Sequence, residues 1–375
     1  MAKPAPQIDV LVLGEHPSAY LAAAMLAQRQ VRVAHTTIPG EPSVERLVLV
    51  NPAMFALDPL LAPLRRKLDS TTHYGIRFIG NDTEPAEHRS KSGLAGVAEY
   101  SAVREAARDI ARACEIDLHR PGALNIGQLD EKGVEVSIDS KVFKPRMLIV
   151  AGTLPDAQRR LLGVDDAWSP DVLRRVSLLR MRGPKWTEPA PKPLVQMSLD
   201  LCGNSCWGWM MSHGGVHQLV VEQPVERAAQ NAPEELMRKW IEVLKRDGVL
   251  KYSEIRKDSV AQFDLPLAGA LEQEGVANRA LLIGPAGAFY RGASEEIYPA
   301  CWSAVFAVGV AIQALKATHL QDALQPYRQD WRTTLGEYLR GPRAHLKFLL
   351  PLVFRNAVMT RRMTEAVLLG KGVVR

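Results

Sequence analysis

The segment IDVLVLGEHPSAYLAAAMLAQRQVRVAHTT, residues 8–37, limits the possible folds of this chain more than any other segment. Residues 8–13 form a continuous apolar run, which is typical of a strand buried on both faces of a parallel sheet. The alanine-rich residues 20–29 predict a helix, and residues 31–34 predict a second short strand. A strand, a turn that contains Gly14, a helix and a second strand together predict the β-α-β start of an α/β fold.

The later sequence repeats this kind of pattern. Residues 99–116 carry apolar side chains at helical spacing, and residues 233–246 predict a further helix. Residues 123–152 alternate strands with tight turns and end on the apolar run 147–151. Residues 279–317 again read as a strand, a glycine-rich turn and a helix. The predicted architecture is therefore a parallel sheet with helices and at least one antiparallel segment.

Length and composition exclude several classes of protein. A chain of 375 residues with 47 % hydrophobic residues can form two or three globular domains. We expect no signal peptide and no membrane-spanning helix, which favours the cytoplasm. The four cysteines are too few for a disulfide scaffold in a chain of this length.

Positive charge is concentrated in residues 339–375. Eight basic side chains and the carboxylate of Glu365 give this tail a charge of +7, and the other 338 residues sum to −1. The basic residues are interleaved with the apolar runs FLLPLVF and AVLLG, which predicts an amphipathic helix. Such a helix packs on its own domain, covers an apolar pocket or makes a peripheral contact with an anionic membrane. The remaining sequence has no basic stripe, which argues against nucleic acid.

Three segments resemble the FAD-dependent oxidoreductases of the geranylgeranyl reductase, aromatic hydroxylase and flavin-dependent halogenase type. They are the opening segment, RMLIVAGTLPDAQRRLLGV at 146–164 and LLIGPAGAFYRGASEEIYPACWSAVFA at 281–307. A weaker match, CWGWMMS, resembles the tryptophan-containing strand that lines the substrate cavity in this group. Each match is loose, but the three segments occur in the family's order and span nearly the whole chain.

The resemblance implies an α/β fold with a Rossmann-like FAD-binding domain, an inserted sheet-based substrate domain and a helical C-terminal tail. The expected division is 1–165 for the first part of the FAD-type domain with its β-meander, 166–275 for the substrate domain, 276–335 for the last part of the FAD-type domain and 336–375 for the tail. An alternative division places part of residues 38–92 in the substrate domain.

Several positions that the resemblance assigns to FAD carry unsuitable residues. In the first turn Gly14 keeps the tight turn, but His16 replaces the glycine that lets the backbone approach the pyrophosphate, while Ala19 is a tolerated substitute for the third glycine. His16 acts either as a phosphate ligand or as a steric block, and the second is the interpretation we favour. His35 stands where an acidic residue would bind the ribose, and a neutral imidazole offers one acceptor nitrogen only.

The middle and C-terminal segments contribute three further expected contacts. Gly152 follows the apolar run of the middle segment, and Gly284-Pro285 replaces the family's Gly-Asp pair, so a carboxylate and an N–H are both lost. Glu296 lies where the family's Gly-Glu-Gly-Ile sequence places a helix N-terminus beside the flavin. A carboxylate there would repel the negative charge of reduced flavin. Alternatively, it accepts hydrogen bonds from the free amides at the start of the following helix. The cofactor implied by the resemblance, FAD, is therefore in question.

Two other groups of residues could bind a ligand. Trp207, Trp209, Phe289 and Tyr298 are predicted to line a large apolar pocket, with ordinary core packing as the alternative. Cys202, Cys206, His213 and His217 are spaced so that they could hold a tetrahedral zinc ion, but the spacing is loose.

Two functions remain open at this stage, and the sequence identifies no catalytic residue for either. The first is an FAD-dependent oxidoreductase that acts on a large hydrophobic substrate, such as an isoprenoid or lipid, with weakened flavin binding. The second is a non-catalytic relative that has lost FAD and binds a lipid or a protein partner, with a zinc-stabilised form as a minor variant.

Overall fold

The first three elements form the expected β-α-β unit. They are β1 (Val10–Leu13), α1 (Pro17–Gln28) and β2 (Val33–Thr36). The computed structural model describes residues 8–39, 44–80, 83–119, 122–129, 133–139, 141–164, 173–182, 192–202, 206–228, 231–250, 260–266, 275–292, 294–340 and 346–371. Helix α1 begins three residues earlier than predicted because a proline is well tolerated in the first turn, where its missing N–H would have no partner.

The remaining elements follow in chain order. The strands are β3 (Leu47–Val50), β4 (Thr71–His73), β5 (Gly75–Phe78), β6 (Ala86–Arg89), β7 (Ala95–Glu99), β8 (Asp117–His119), β9 (Leu124–Leu129), β10 (Val134–Ile138), β11 (Lys141–Phe143), β12 (Met147–Val150), β13 (Leu173–Arg182), β14 (Val195–Ser198), β15 (Trp207–His213), β16 (Val216–Pro224), β17 (Val260–Pro266), β18 (Val276–Ala277) and β19 (Ala280–Leu282). The helices are α2 (Leu64–Lys67), α3 (Tyr100–Ala113), α4 (Asp156–Leu161), α5 (Val225–Ala228), α6 (Pro233–Arg246), α7 (Ile297–Ala314), α8 (Leu320–Ala323), α9 (Pro326–Arg340), α10 (Leu346–Arg355) and α11 (Ala357–Leu369), with 3-10 turns at Pro52–Ala56 and Gly284–Gly287.

A six-stranded sheet in the order β18-β19-β12-β1-β2-β8 forms the centre of the fold. Strands β19, β12, β1, β2 and β8 are parallel, and β18 adds one antiparallel edge. Helices α1 and α7 share a hydrophobic core with one face, and the antiparallel meander of β9, β10 and β11 packs on the other. Both faces are covered, which explains why β1 and β12 are uniformly apolar.

A second, seven-stranded sheet has the order β17-β13-β16-β15-β14-β5-β6, and a small three-stranded sheet has the order β3-β7-β4. Strands β5 and β6 come from the 38–92 region, so part of that region does belong to the large second sheet. Helix α6 packs against one face of this sheet, while α10 and α11 pack against the other. The predicted α/β fold with a helical C-terminal stretch is thus confirmed. The expected domain limit at residue 165 lies outside the described residues, and the limit at 336 falls inside α9.

Helix α7 has the composition of a membrane-spanning helix but the packing of a core helix. Its 18 residues are long and apolar enough to cross a membrane, but 67 % of the helix is buried inside the protein. It packs against α1 within the main core, which explains why it is apolar on all sides. Among the described residues no other helix reaches this length and hydrophobicity.

Candidate functional site

Gly14 makes the tight turn between β1 and α1. Its φ of +121° is unfavourable for other residues, and its N–H donates to the carbonyl of Thr36 at 3.0 Å. A Cβ at this position would lie 2.8 Å from the backbone nitrogen of Gly152, which follows β12. The glycines at 14 and 152 therefore let the ends of β1 and β12 approach each other closely.

His16 caps α1 with its own side chain. Its Nδ1 accepts a hydrogen bond from the backbone N–H of Ser18 at 3.2 Å and lies 2.8 Å from the Ser18 hydroxyl. The residue is 1 % exposed, and burial lowers the pKa of His16 to about 4, so the ring is neutral at pH 7. The amide that would face a phosphate at the start of α1 is thus bonded to an imidazole, and Ala19 behind it is fully buried.

His35, at the end of β2, points back to the first turn. Its Nε2 donates to the carbonyl of Gly14 at 2.8 Å, and its ring lies 4.5 Å from the ring of Tyr20. Burial lowers the pKa of His35 to about 4. Since Nε2 is a donor in this bond, the side chain fastens β2 to the turn.

The Gly284-Pro285 turn closes on the start of α1. Gly284 has a φ of +51°, and a Cβ there would lie 2.7 Å from the Ser18 hydroxyl and 3.3 Å from Nδ1 of His16. Pro285 and Gly152 line a cavity of about 30 Å³, which is room for one or two water molecules.

Glu296, just before α7, forms a bidentate ion pair with Arg46. The guanidinium Nε and Nη2 of Arg46 lie 2.7 and 2.9 Å from the two carboxylate oxygens of Glu296. The guanidinium carbon Cζ lies 3.9 Å from the centre of the Tyr100 ring. Burial alone would raise the pKa of Glu296, but the charge and hydrogen bonds of Arg46 more than offset this and hold it below its usual value. Both residues are less than 10 % exposed. The N-terminus of α7 therefore faces a buried ion pair made by the chain itself.

The neighbouring Glu295 is buried without such compensation. It is 1 % exposed, and neither carboxylate oxygen completes a hydrogen bond among the described residues. Burial raises the pKa of Glu295 to about 7, against the opposing charge of Arg291. The pKa values of two adjacent buried carboxyl groups are thus shifted in opposite directions, upward for Glu295 and downward for Glu296.

Glu295→Gln is expected to change how stability depends on pH. A carboxyl group whose pKa is raised on folding stabilises the native state at low pH and loses this contribution as the pH rises from 4.5 to about 7. The variant should therefore gain about 3 kcal/mol relative to the parent across this window. Urea unfolding at a series of pH values measures the free energy of unfolding of both proteins. The buried histidines are the same in both, so the difference between the two curves reports on Glu295 alone. Parallel stability curves for the two proteins would contradict the assignment.

Arg104 of α3 pairs with Glu15 in the first turn. Its Nη1 lies 3.2 Å from a carboxylate oxygen of Glu15, and both side chains are partly exposed. Arg104 thus binds the one acidic residue of the loop, which fixes α3 against the start of α1.

Within the described parts of the chain, the four residues predicted to line a pocket lie in different places. Trp207 and Trp209, 6.2 Å apart between ring centres, are buried in the core under α11. Phe289 packs on Trp331 in the other core, at 5.5 Å. Tyr298 lines a groove of about 520 Å³ between α7, α9 and α11. The C-terminal helices thus occupy the space over the two tryptophans.

The four cysteine and histidine residues that could hold zinc do not come together as a metal site in the described structure. Cys202 and Cys206 are joined in a disulfide bond, so they offer no thiolate pair. His217 bonds to the Ser212 hydroxyl at 2.6 Å, and His213 lies 3.0 Å from that of Thr71. Ser212 pairs with His217 across β15 and β16, so the two histidines point to opposite faces of the sheet. No group of three or more metal-binding side chains occurs in the described parts of the chain.

A cavity of about 490 Å³ lies where the ends of β5 and β14 meet α10. Its apolar walls include Leu199, Leu350 and Phe354, and its polar groups include Arg355. Sequence reasoning missed this cavity and also missed Arg46. Arg46 stands directly before the apolar run of β3, a hint of a buried charge, but its partner is 250 residues away in the chain.

Comparison with known proteins gives fold similarity and no sequence match. No protein-family model and no curated protein matches the sequence. The chain is similar to a geranylgeranyl bacteriochlorophyll reductase-like protein from Thermoplasma acidophilum, with a TM-score of 0.73 and 16 % identity over 96 % of this chain and 88 % of that one. It is also similar to a probable FAD-dependent monooxygenase from Pseudomonas aeruginosa, with a TM-score of 0.65 and 17 % identity over 91 % and 97 % of the two chains. A halogenase solved in complex with FAD gives a TM-score of 0.70 and 13 % identity over 95 % and 79 %.

The fold is therefore that of FAD-dependent reductases, monooxygenases and halogenases, as the sequence resemblance implied. The residues present at the cofactor positions do not fit FAD. A pyrophosphate needs free amides at the start of α1, where Ser18 is bonded to His16. A flavin needs the N-terminus of α7, where Glu296 is bonded to Arg46. His16 and Glu296 are 1 and 3 % exposed, so neither offers a surface to a ligand.

Proposed function

We propose that this chain is a cofactor-independent binding protein built on a flavoprotein fold, and that its ligand is a large apolar molecule held in the cavity beside α10. The Arg46–Glu296 ion pair is the observation that carries the first half of the proposal. Each charge satisfies the other and is withdrawn from water, so a ligand at this place would have to separate them and leave an uncompensated buried charge.

The cavity supports the second half. Its volume of about 490 Å³ lies within the range of small-molecule sites, which is roughly 300–1,000 Å³. Leu199, Leu350 and Phe354 supply apolar contacts, while Glu84 and Arg355 supply polar groups. A molecule with a long apolar body and one polar end matches this lining.

An FAD-dependent oxidoreductase with weakened flavin binding is the second candidate. The likeness to flavoproteins, one of them solved with FAD, extends over nearly the whole chain. The glycine turns at 14 and 284 also keep positive φ values. This candidate requires the Arg46–Glu296 pair to open when FAD enters.

The absorption spectrum of the purified protein, recorded before and after addition of FAD, separates the two candidates. The binding protein is expected to be colourless and to leave the spectrum of added FAD unchanged. Bound flavin bands in either sample would overturn the cofactor-independent proposal.

Variants that restore the family's residues test whether the altered positions are the reason that FAD is not expected to bind. His16→Gly with Pro285→Asp removes the imidazole from the start of α1 and supplies a carboxylate; adding Arg46→Ala and Glu296→Gly clears the ion pair. The fourfold variant is expected to bind FAD at least about tenfold more tightly than the parent, measured by fluorescence quenching of the flavin. His73→Gly, which removes an equally buried histidine from β4, is the control and should give no gain. No gain in the fourfold variant would show that the chosen positions are not the cause.

Ligand binding in the cavity is tested with a dansyl-labelled fatty acid. Leu350→Trp fills the cavity with an indole and is expected to weaken binding of this probe at least about tenfold. Leu161→Trp, on the exposed face of α4, should leave binding unchanged. Equal affinities for both variants would exclude the cavity as the binding site.

A further inference from the structure

From the surface beside the cavity we infer that the corner between α10 and α11 docks on an anionic lipid membrane. This docking would bring the mouth of the cavity against the bilayer, so the apolar ligand could enter without crossing water. The role of the cavity rests on the proposed function, whereas the docking surface does not depend on it.

The corner exposes an unusual amount of apolar surface. Leu352 is 45 % exposed and Val358 is 50 % exposed, and Pro351 and Ala357 beside them are also exposed. Asn356 joins the two helices, since its N–H donates to the carbonyl of Leu352 at 3.0 Å and its side chain accepts from the N–H of Val358 at 2.9 Å. The two large apolar residues are therefore held on one fixed corner, which is typical of an interaction surface.

The charge of the corner is suited to acidic headgroups. Arg355 and Arg361 are exposed, and neither forms an ion pair with any residue that the structure describes. The one acidic residue of the tail, Glu365, is bonded to Lys371 at 3.1 Å. Basic side chains beside exposed apolar ones match the boundary between lipid headgroups and acyl chains.

The same charge disfavours a second copy of this chain as the occupant. Two tails that each carry +7 would repel one another if their corners met. An anionic lipid surface instead gains attraction from each arginine, and it accepts Leu352 and Val358 in its apolar layer.

The cavity borders this corner. Pro351 and Arg355 line the cavity and are also exposed on the corner, and Leu350 and Phe354 of the same helix form its apolar wall. Pro351 and Arg355 thus belong both to the docking surface and to the cavity lining, so the cavity opens beside the membrane-facing corner. A lipid-derived ligand is the chemical class that this arrangement fits.

Co-sedimentation of the full chain with vesicles tests the docking. Vesicles of phosphatidylcholine with about 30 % phosphatidylglycerol should bind the protein, and vesicles of phosphatidylcholine alone should bind it far more weakly. Leu352→Ser with Val358→Ser is expected to weaken binding at least about tenfold, and Arg355→Glu with Arg361→Glu by a similar factor. Added salt should weaken the parent protein's binding.

The controls use residues with similar exposure elsewhere. Val142→Ser with Leu161→Ser removes apolar surface from β11 and α4, and Arg108→Glu with Arg112→Glu reverses charge on α3; both double variants should bind like the parent. Equal binding by the corner variants, equal binding to neutral vesicles, or no binding by the parent would overturn the inference. So would a concentration-dependent dimer that the Leu352→Ser/Val358→Ser variant abolishes.

The outcome is separable from that of the proposed function. The vesicles contain neither FAD nor the dansyl fatty acid, so docking is measured independently of the probe that reports on the cavity. The Leu352→Ser/Val358→Ser variant changes no residue that lines the cavity, so it should lose vesicle binding and still bind the dispersed probe. A parent protein that binds vesicles but not the probe would support docking and contradict the ligand-binding function.

Discussion

Replacing Arg46 by methionine is expected to lower the free energy of unfolding by about 3–5 kcal/mol. The substitution removes the guanidinium that holds both oxygens of Glu296 and leaves a carboxylate that is only 3 % exposed without its counter-charge. Desolvation of that charge, rather than the loss of one ion pair, causes most of the effect. Urea unfolding at pH 7 measures it.

Two further variants separate charge from packing. Arg46→Met with Glu296→Leu removes both charges and should recover most of the lost stability, because apolar side chains can replace a buried pair at little cost. Arg112→Met, which breaks an exposed pair with Asp109, should cost less than about 1 kcal/mol. If Arg46→Met were as mild as Arg112→Met, the buried pair would not be a major determinant of stability.

The stability that Arg46→Met loses relative to the parent protein is expected to become smaller at low pH. In the parent protein the pKa of Glu296 is lowered, so its stabilising contribution is present above the ordinary carboxyl pKa and is lost as the pH falls through the lowered value. Without Arg46, burial raises this pKa instead, and protonation relieves the penalty. The stability gap between variant and parent should therefore narrow on acidification, and a constant gap would contradict this account.

Gly14→Ala is expected to destabilise the protein by about 4 kcal/mol. The φ of +121° strains any residue with a Cβ, and the added carbon would lie 2.8 Å from the Gly152 nitrogen. Both groups belong to backbone at the ends of adjacent parallel strands, so neither can move away without breaking the β1–β12 register. Chemical unfolding followed by circular dichroism measures the loss.

Gly309→Ala is the matched control in α7. A Cβ at Gly309 meets nothing within 4 Å, so the substitution should stabilise the helix by about 0.5–1 kcal/mol. A large loss at position 14 with a gain at 309 would show that Gly14 is kept by the geometry of the fold, whether or not FAD binds. If Gly14→Ala left the free energy of unfolding unchanged, the geometry of the turn would not explain why glycine occupies this position.

The elements of the fold were predictable where the signal is local. Helix α6 begins and ends at the predicted residues, because proline and acidic residues at its start and basic residues at its end agree with its apolar spacing. The parallel strands β1 and β12 were recognisable from uniform hydrophobicity. By contrast, the apolar 18 residues of α7 look the same in a membrane and in a core, and only packing against α1 distinguishes the two.

The site was predictable only in its first half. The sequence singled out His16 in the turn and His35 at the end of β2, because both departures from the family's pattern lie within one short segment. It offered two roles for His16, and the bond from the Ser18 amide shows a third, a helix cap. The partner of Glu296 and the covering of Trp207 by α11 depend on contacts between distant parts of the chain, which no local spacing encodes.

The central sheet also has a consequence for synthesis in the cell. Its neighbouring strands β1, β12 and β19 lie near residues 10, 148 and 281, so the sheet cannot close until residue 282 has left the ribosome. At about 5–20 residues per second, the roughly 130 residues between β12 and β19 take about 7–26 s to emerge, during which the apolar strand β12 lacks its partner β19. Helices α10 and α11 come after β19 in the chain, so the apolar face of the second sheet that they cover stays exposed for longer still, and nascent chains should depend on chaperones until both helices have emerged.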